Sequence, residues 1–259
     1  MGNLEANLLL GAVGLYLLAS VLYFLYAAVR KEKVGGAASW AILLGAILHS
    51  GSLLARIFAS GRLPFSNLYE SMTVFAWGIV IIYLAVEYLY KLRLIGTIAA
   101  PIAFLAALYA STLNKEIAPL MPALQSNWLL AHVGVAVVAY GVFAVSFGTA
   151  ILSLIFPKEK KFDQLTYQLI AFAFPFLTLV VITGAVWAEQ AWGTYWSWDP
   201  KETWSLITWL VYLGYLHARL VLKWKGRTAA WFAIIGFLVV IFTYLGVSFL
   251  LSGLHSYAS

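Results

Sequence analysis

Long apolar runs, broken by short polar or basic stretches, set the pattern of this chain. About 20 apolar residues are needed to cross the hydrocarbon core of a bilayer. Eight runs meet that length, at roughly 7–29, 37–59, 68–90, 94–113, 128–156, 165–190, 203–224 and 228–252. The pattern predicts an all-α polytopic membrane protein of about eight transmembrane helices. The fifth run is long enough to tilt or to extend past the membrane. Pro101 and Pro175 lie inside runs, where proline kinks a helix. The first run is too long for a signal-peptide core and has no basic flank before it, so no cleavable leader is expected.

Composition agrees. Of 259 residues, 63% are apolar and 10% charged, whereas soluble domains carry about 25% charged residues. No polar stretch is long enough for a separate soluble core, so residues 1–259 read as one transmembrane domain. The formal charge of +6 would suit nucleic acid, but the basic residues fall in short loops rather than on one face. Their partner is the lipid bilayer, with no nucleic acid expected. The chain has no cysteine, which excludes disulfides, thiolate metal sites and cysteine nucleophiles.

The basic loops alternate. Arg30, Lys31 and Lys33 follow the first run, and Lys91 and Arg93 the third. Lys158, Lys160 and Lys161 follow the fifth, and Lys223, Lys225 and Arg227 the seventh. That makes eleven on one side, against Arg62, Lys115 and Lys201 on the other. The positive-inside rule puts the eleven in the cytoplasm and both termini outside.

On that outer side lies "WGTYWSWDPKETW" (192–204). Residues 187–209 hold six of the eleven tryptophans. An interfacial aromatic belt accounts for Trp40, Trp77, Trp128, Trp224 and Trp231, but a belt is spread around a protein and this is a cluster. The alternative is a binding platform for a large, flat, apolar ligand, since indole offers wide stacking area with little rotamer freedom to lose. Gly193 permits a turn between Trp192 and Tyr195. Asp199-Pro200 reads as a helix start, with Glu202 placed to complete a capping box. Asp199, Lys201 and Glu202 therefore either start the seventh helix or position a ligand's polar edge; the residues alone leave both open.

Trp192, Gly193, Trp196, Trp198 and Asp199 fit the pattern WGxxWxWD. It resembles the WWD signature of the haem-handling membrane proteins of cytochrome c maturation. The continuation "DPKETWSLITW" is most similar to the CcsA/ResC branch of System II cytochrome c synthases, as are "SNLYES" (66–71), "HVGVAVVAYGVFAVSFGTAIL" (132–152), "YLHAR" (215–219) and "GLHSY" (253–257). The resemblance runs from about residue 53 onward. It implies a WWD loop at about 187–204 on the outer face, with Trp192, Gly193, Tyr195, Trp196, Trp198, Asp199 and Trp204 as a platform for haem b.

Four histidines occur: His49, His132, His217 and His255. His132 stands four residues after Trp128, on the same helix face, and His255 follows the last run. The topology puts both on the side of the tryptophan loop, and two imidazoles with a flat aromatic floor suit a haem iron. The resemblance implies that His132 and His255 are its axial ligands there. It also implies that His217 holds haem within the membrane, with a partner from a CcsB/ResB-like subunit. An ionisable group at that depth is expensive and usually functional. His49, near the middle of the second run, is a candidate for the same intramembrane site, a proton relay or simple packing. Members of the branch often carry histidine where this chain has Arg62, so Arg62 is no iron ligand. Arg62, Lys201 and Glu202 are candidates for propionate or partner contacts.

The expectation is a haem-lyase-type synthase subunit of a bacterial cytoplasmic or thylakoid membrane. It moves haem b outward and presents it for thioether attachment to the CXXCH motif of apocytochrome c. The absent cysteine fits, because the sulfurs belong to the substrate. Glu189, Asp199 and Glu202 have no clear claim as a general base, so no catalytic residue is assigned. Two alternatives remain: a haem exporter that hands haem to a chaperone without ligation, and a b-type electron carrier.

Overall fold

The computed structural model describes residues 2–251 and residue 253. The described residues form helices and connecting turns, divided into two compact units, Met1–Leu120 and Met121–Ser259.

The first unit holds α1 (Gly2–Val29), α2 (Glu32–Ser60), α3 (Leu68–Tyr90) and α4 (Gly96–Thr112). α1 packs along α2 and α4, and α3 packs on α4. Buried carboxylates pin the unit at both ends. At the basic-loop end, Glu87 accepts hydrogen bonds from Tyr23 (2.8 Å), Tyr83 (2.5 Å), Ser39 and Arg93 (3.4 Å). At the opposite end, Glu70 is fully buried and takes Arg56 Nε (3.0 Å) and Nη2 (2.7 Å) on Oε1. Its Oε2 accepts the Ser66 amide (2.8 Å), the Ser66 hydroxyl (2.7 Å) and Arg62 Nη1 (3.1 Å). Asn67 caps α3 by accepting from the Glu70 amide at 2.8 Å, and Tyr69 donates to Glu5 at 2.7 Å. Each polar residue from Ser66 to Glu70 in "SNLYES" thus has a bonding partner. Buried charges are tolerated only when paired and hydrogen-bonded.

The second unit holds α5 (Asn127–Ile155), α6 (Lys160–Trp192), α7 (Pro200–Leu220) and α8 (Arg227–Ile241). α8 runs on through a π-helical turn, Phe242–Gly246, into Val247–Leu250. α5 lies along α6, α8 packs on α5 and α7, and α6 packs on α7. α6 has 33 residues, or roughly 50 Å at helical rise, so it outruns the hydrocarbon core. Pro101 and Pro175 sit inside α4 and α6, and neither ends its helix.

Among the described residues, eight long helices match the eight runs, but only seven are apolar enough to qualify as spans by hydropathy, and α7 is the exception. His217 and Arg219 in its last turn carry most of that polarity, and its inward face adds hydroxyls. Thr208, Tyr212, Tyr215 and Ala218 are buried; Thr208 bonds Thr243 at 2.8 Å, and Tyr212 stacks on Phe143 at 3.7 Å. The basic-loop end of α7 is fixed by Arg219, which pairs with Asp163 at 2.8 Å. This is an all-α polytopic membrane protein.

A candidate haem platform at the joint of α6 and α7

α6 stops because Gly193 turns left-handed (φ +76°) and returns its N–H to the Glu189 carbonyl at 2.8 Å. A Cβ would strain that conformation, so glycine is the fitting residue. Seven residues later α7 starts on a full capping box. Asp199 accepts from the Lys201 amide at 2.9 Å, and Glu202 Oε2 accepts from the Asp199 amide at 3.2 Å. Pro200 occupies the first helical position, where its missing N–H costs nothing. Asp199 is buried in this role.

Between the two caps the indoles are set by backbone shape. Trp198 has φ +59°, an unusual conformation for a bulky side chain that costs about 1–3 kcal/mol. The indole is turned outward and is 68% exposed, and Tyr195 is 59% exposed. Trp196 meets Trp198 edge to face at 5.7 Å. At the end of α6, Trp187 and Trp192 form a second edge-to-face pair at 5.0 Å. Trp204 faces inward, against Phe242 at 4.4 Å.

His132, in the second turn of α5, belongs to the Trp187 cluster. Its ring lies nearly parallel to the Trp187 indole, 6.0 Å away at 23°. Its Nδ1 is 2.9 Å from the Val180 carbonyl on α6. A carbonyl only accepts, so Nδ1 carries the proton and the lone pair lies on Nε2. A second bond that fixes ring and tautomer is what a metal-ligating imidazole needs. Gly184 makes room: a Cβ there would meet His132 Cε1 and Nδ1 at 2.9 Å. The cluster is closed by the segment before α5. Trp187 Nε1 donates to the Ala123 carbonyl at 2.8 Å, and Ser126 Oγ to Gln190 at 2.7 Å.

The last helix is bolted to the start of α7. Lys201 Nζ donates to the Tyr244 carbonyl (3.0 Å) in the π-turn and to the Ser248 hydroxyl. Thr243 donates to the Trp204 carbonyl at 3.2 Å. Beyond α8 the chain returns to the cap: a Cβ on Gly253 would lie 2.4 Å from Asp199 Oδ2 and 3.0 Å from Pro200 Cδ. Glycine permits this close approach two positions before His255 in sequence. His255 itself lies outside the described residues.

The other sequence candidates are placed as follows. His217 is exposed on α7, on one face with Leu210, Leu213 and Leu220. It stands roughly 20 Å along the helix from Trp204. His49 is fully buried in the first unit, with Nδ1 3.1 Å from the Tyr16 hydroxyl and no hydrogen-bond partner for Nε2. Arg62 pairs with Glu70 (3.1 Å) and donates to the Ala118 carbonyl (3.1 Å). Lys201 and Glu202 are taken up by the bonds around the α7 cap. The structure therefore brings together His132, Trp187 and Trp192 in one cluster, and Trp196, Trp198, Asp199 and Glu202 around the cap. Sequence reasoning missed Gly184, the Val180 carbonyl and the π-turn; a glycine facing a neighbouring helix was the one available signal.

Comparison with known proteins places this architecture. The cytochrome C assembly protein family model matches residues 65–255. The cytochrome c biogenesis protein CcsA of Guillardia theta is 44% identical over 238 residues, covering 78% of this chain and 79% of that protein. CcsA of Pyropia yezoensis is 36% identical and covers 95% of each chain. CcsA of Gloeobacter violaceus is 35% identical, with 93% of this chain and 92% of the relative covered. The solved cytochrome c heme lyase CcmF has the same fold, with a TM-score of 0.79 at 19% identity. The match spans 95% of this chain but 46% of that one. This chain belongs to the CcsA family of cytochrome c assembly proteins, and its role is in cytochrome c biogenesis.

Proposed function

We propose that this chain is the haem-handling subunit of a cytochrome c synthase, working with a CcsB/ResB-like subunit. The observation that carries the reading is His132. Its Nδ1 is bonded to Val180, its ring lies against Trp187, and its lone pair is directed to Nε2. That is an imidazole prepared to hold iron beside a flat aromatic surface. His132 and His255 are the axial ligands of haem b at the outer face, and Trp192, Tyr195, Trp196 and Trp198 carry the ring. Haem arrives from His217, whose outward position on an apolar face leaves it accessible to a second subunit.

Haem and apocytochrome are both substrates in this scheme. Each thiol of the CXXCH motif adds across a vinyl group: sulfur bonds to one vinyl carbon and the thiol hydrogen ends on the other. No electron is gained or lost overall. The chain contributes orientation, holding haem so that its vinyl edge meets the peptide. Asp199 and Glu202 act through the helix cap that ends the platform.

Co-expression with a CcsB/ResB-like partner and a CXXCH-containing apocytochrome tests the reading. Covalent haem on the cytochrome after denaturation is the expected result. Haem released outside without attachment overturns the synthase reading in favour of an exporter. For His217→Ala, the expected result is loss of haem delivery with the outer site still able to take added haem. Normal loading in that variant overturns the transit role.

A further inference from the structure

Trp198 sits in a backbone conformation that bulky residues avoid, so something must hold it there. The residues on each side identify what does. Glu202 Oε2 accepts the Ser197 amide at 2.8 Å and the Asp199 amide at 3.2 Å, with the Ser197 hydroxyl at 3.3 Å. One carboxylate oxygen therefore bridges the two N–H groups that flank Trp198. Two amides converge on one oxygen when the residue between them turns left-handed, the geometry of a backbone anion nest. The anion in this nest is supplied by the chain itself. Held this way, Trp198 cannot fold back, and its indole projects outward.

We propose that Glu202 is the positioning residue of the platform. Its bridge between the amides of Ser197 and Asp199 locks Trp198 in the left-handed conformation and presents its indole to the bound ligand. The capping box thus has a second task. The same oxygen that closes the first turn of α7 also sets the most exposed indole of the loop. This rests on the reading of the loop as a haem platform, and deepens it by naming what orients the platform.

The chemistry distinguishes a bridge from a charge. Glu202 Oε1 is buried without a hydrogen-bond partner, so Glu202→Gln replaces it with an amide nitrogen without breaking a bond and keeps the bridging oxygen. Glu202→Asp keeps the charge but is one methylene too short to reach both amides. Glu202→Ala loses the bridge and the charge.

The experiment uses the full chain labelled with fluorotryptophan, purified in detergent, with the Trp198 fluorine resonance assigned by its loss in Trp198→Phe. The first readout is that resonance in the absence of haem. The second is the affinity for added haem b. Glu202→Gln is expected to match the wild type in both. Glu202→Asp and Glu202→Ala are expected to shift or broaden the Trp198 resonance and to weaken haem binding by roughly tenfold. In a Trp198→Gly background, Glu202→Ala is expected to add no further loss.

A Trp198 resonance unchanged in both Glu202→Asp and Glu202→Ala overturns the proposal, whether or not haem binds. So does wild-type behaviour in Glu202→Asp with loss in Glu202→Gln, because the charge would then matter and the bridge would not. Equal loss of haem in the Trp198→Gly background also overturns it, since Glu202 would be acting on the ligand directly. A wild-type chain that binds no haem overturns the platform reading alone, and the fluorine resonances still decide this one.

Discussion

His132 on α5 and Val180 on α6 are joined by a 2.9 Å hydrogen bond from imidazole Nδ1 to a backbone carbonyl. The bond ties the imidazole to a helix rather than to a loop. α5 and α6 lie along each other, so the ring's direction is set by a helix pair and survives movement of the loop after Gly193. The lone pair on Nε2 is the chemical consequence, and each element of that arrangement can be perturbed separately.

Gly184 is the first. In a helix interior glycine is normally the weaker choice by roughly 1 kcal/mol, so Gly184→Ala should stabilise α6 if space allowed. Space does not allow it, because the added carbon meets the His132 ring at 2.9 Å. Gly184→Val is expected to displace the ring at an overpacking cost of about 1–3 kcal/mol. The measurement is haem affinity together with thermal unfolding. Haem affinity should fall markedly even where the melting temperature drops by only a few degrees.

Asp199 separates capping from ligand contact. Asn caps helices about as well as Asp, whereas Ala costs about 0.5–2 kcal/mol. Asp199→Asn should therefore keep wild-type stability and haem binding, and Asp199→Ala should lose stability within that range. A haem defect in Asp199→Asn with unchanged stability would show that the carboxylate serves the ligand directly. Both variants are read by thermal melting and haem titration.

Lys201 ties the first turn of α7 to the π-turn through the Tyr244 carbonyl and the Ser248 hydroxyl. Lys201→Met keeps much of the stem and removes both bonds. Hydrogen bonds from a charged donor contribute about 1.5–3 kcal/mol. The expected outcome is a loss of that order, with hydrogen exchange accelerated first at residues 242–250.

Arg56 and Glu70 form a buried pair at 2.7 Å in the first unit. Removing one partner leaves the other charge buried, at about 3–5 kcal/mol. Arg56→Met should therefore lower the stability of this unit severely, measured by proteolysis and melting in detergent. Arg56→Met with Glu70→Leu should recover only part of the loss, because Arg62 still loses Glu70 (3.1 Å) and the buried Glu5 still loses Arg56 (3.7 Å).

Much of this was legible in the sequence, for identifiable physical reasons. Apolar runs long enough to span a bilayer marked the helices, since lipid offers the backbone no other partner. Gly193 and Asp199-Pro200 marked the ends of α6 and α7, because caps have strong local chemistry. The start of α6 at Lys160 was not legible, as its first turn is polar and lies outside the apolar run. Nor was the inward face of α7, where Thr208 and Tyr212 are buried by partners distant in the chain. The π-turn left no local signal; it is held by Trp204, Thr208 and Lys201 from another helix. "SNLYES" was recognisable as a motif, but its work in binding Arg56 and Arg62 depends on residues that only folding brings together.

The central claim is that His132 is an iron ligand beside the tryptophan loop. The most direct measurement is the absorption spectrum of the purified chain with haem b, compared with His132→Gly and with the same variant plus imidazole. Wild type should give a low-spin spectrum of two imidazole ligands, His132→Gly should lose it, and added imidazole should restore it. A low-spin spectrum unchanged in His132→Gly and indifferent to imidazole would contradict the account.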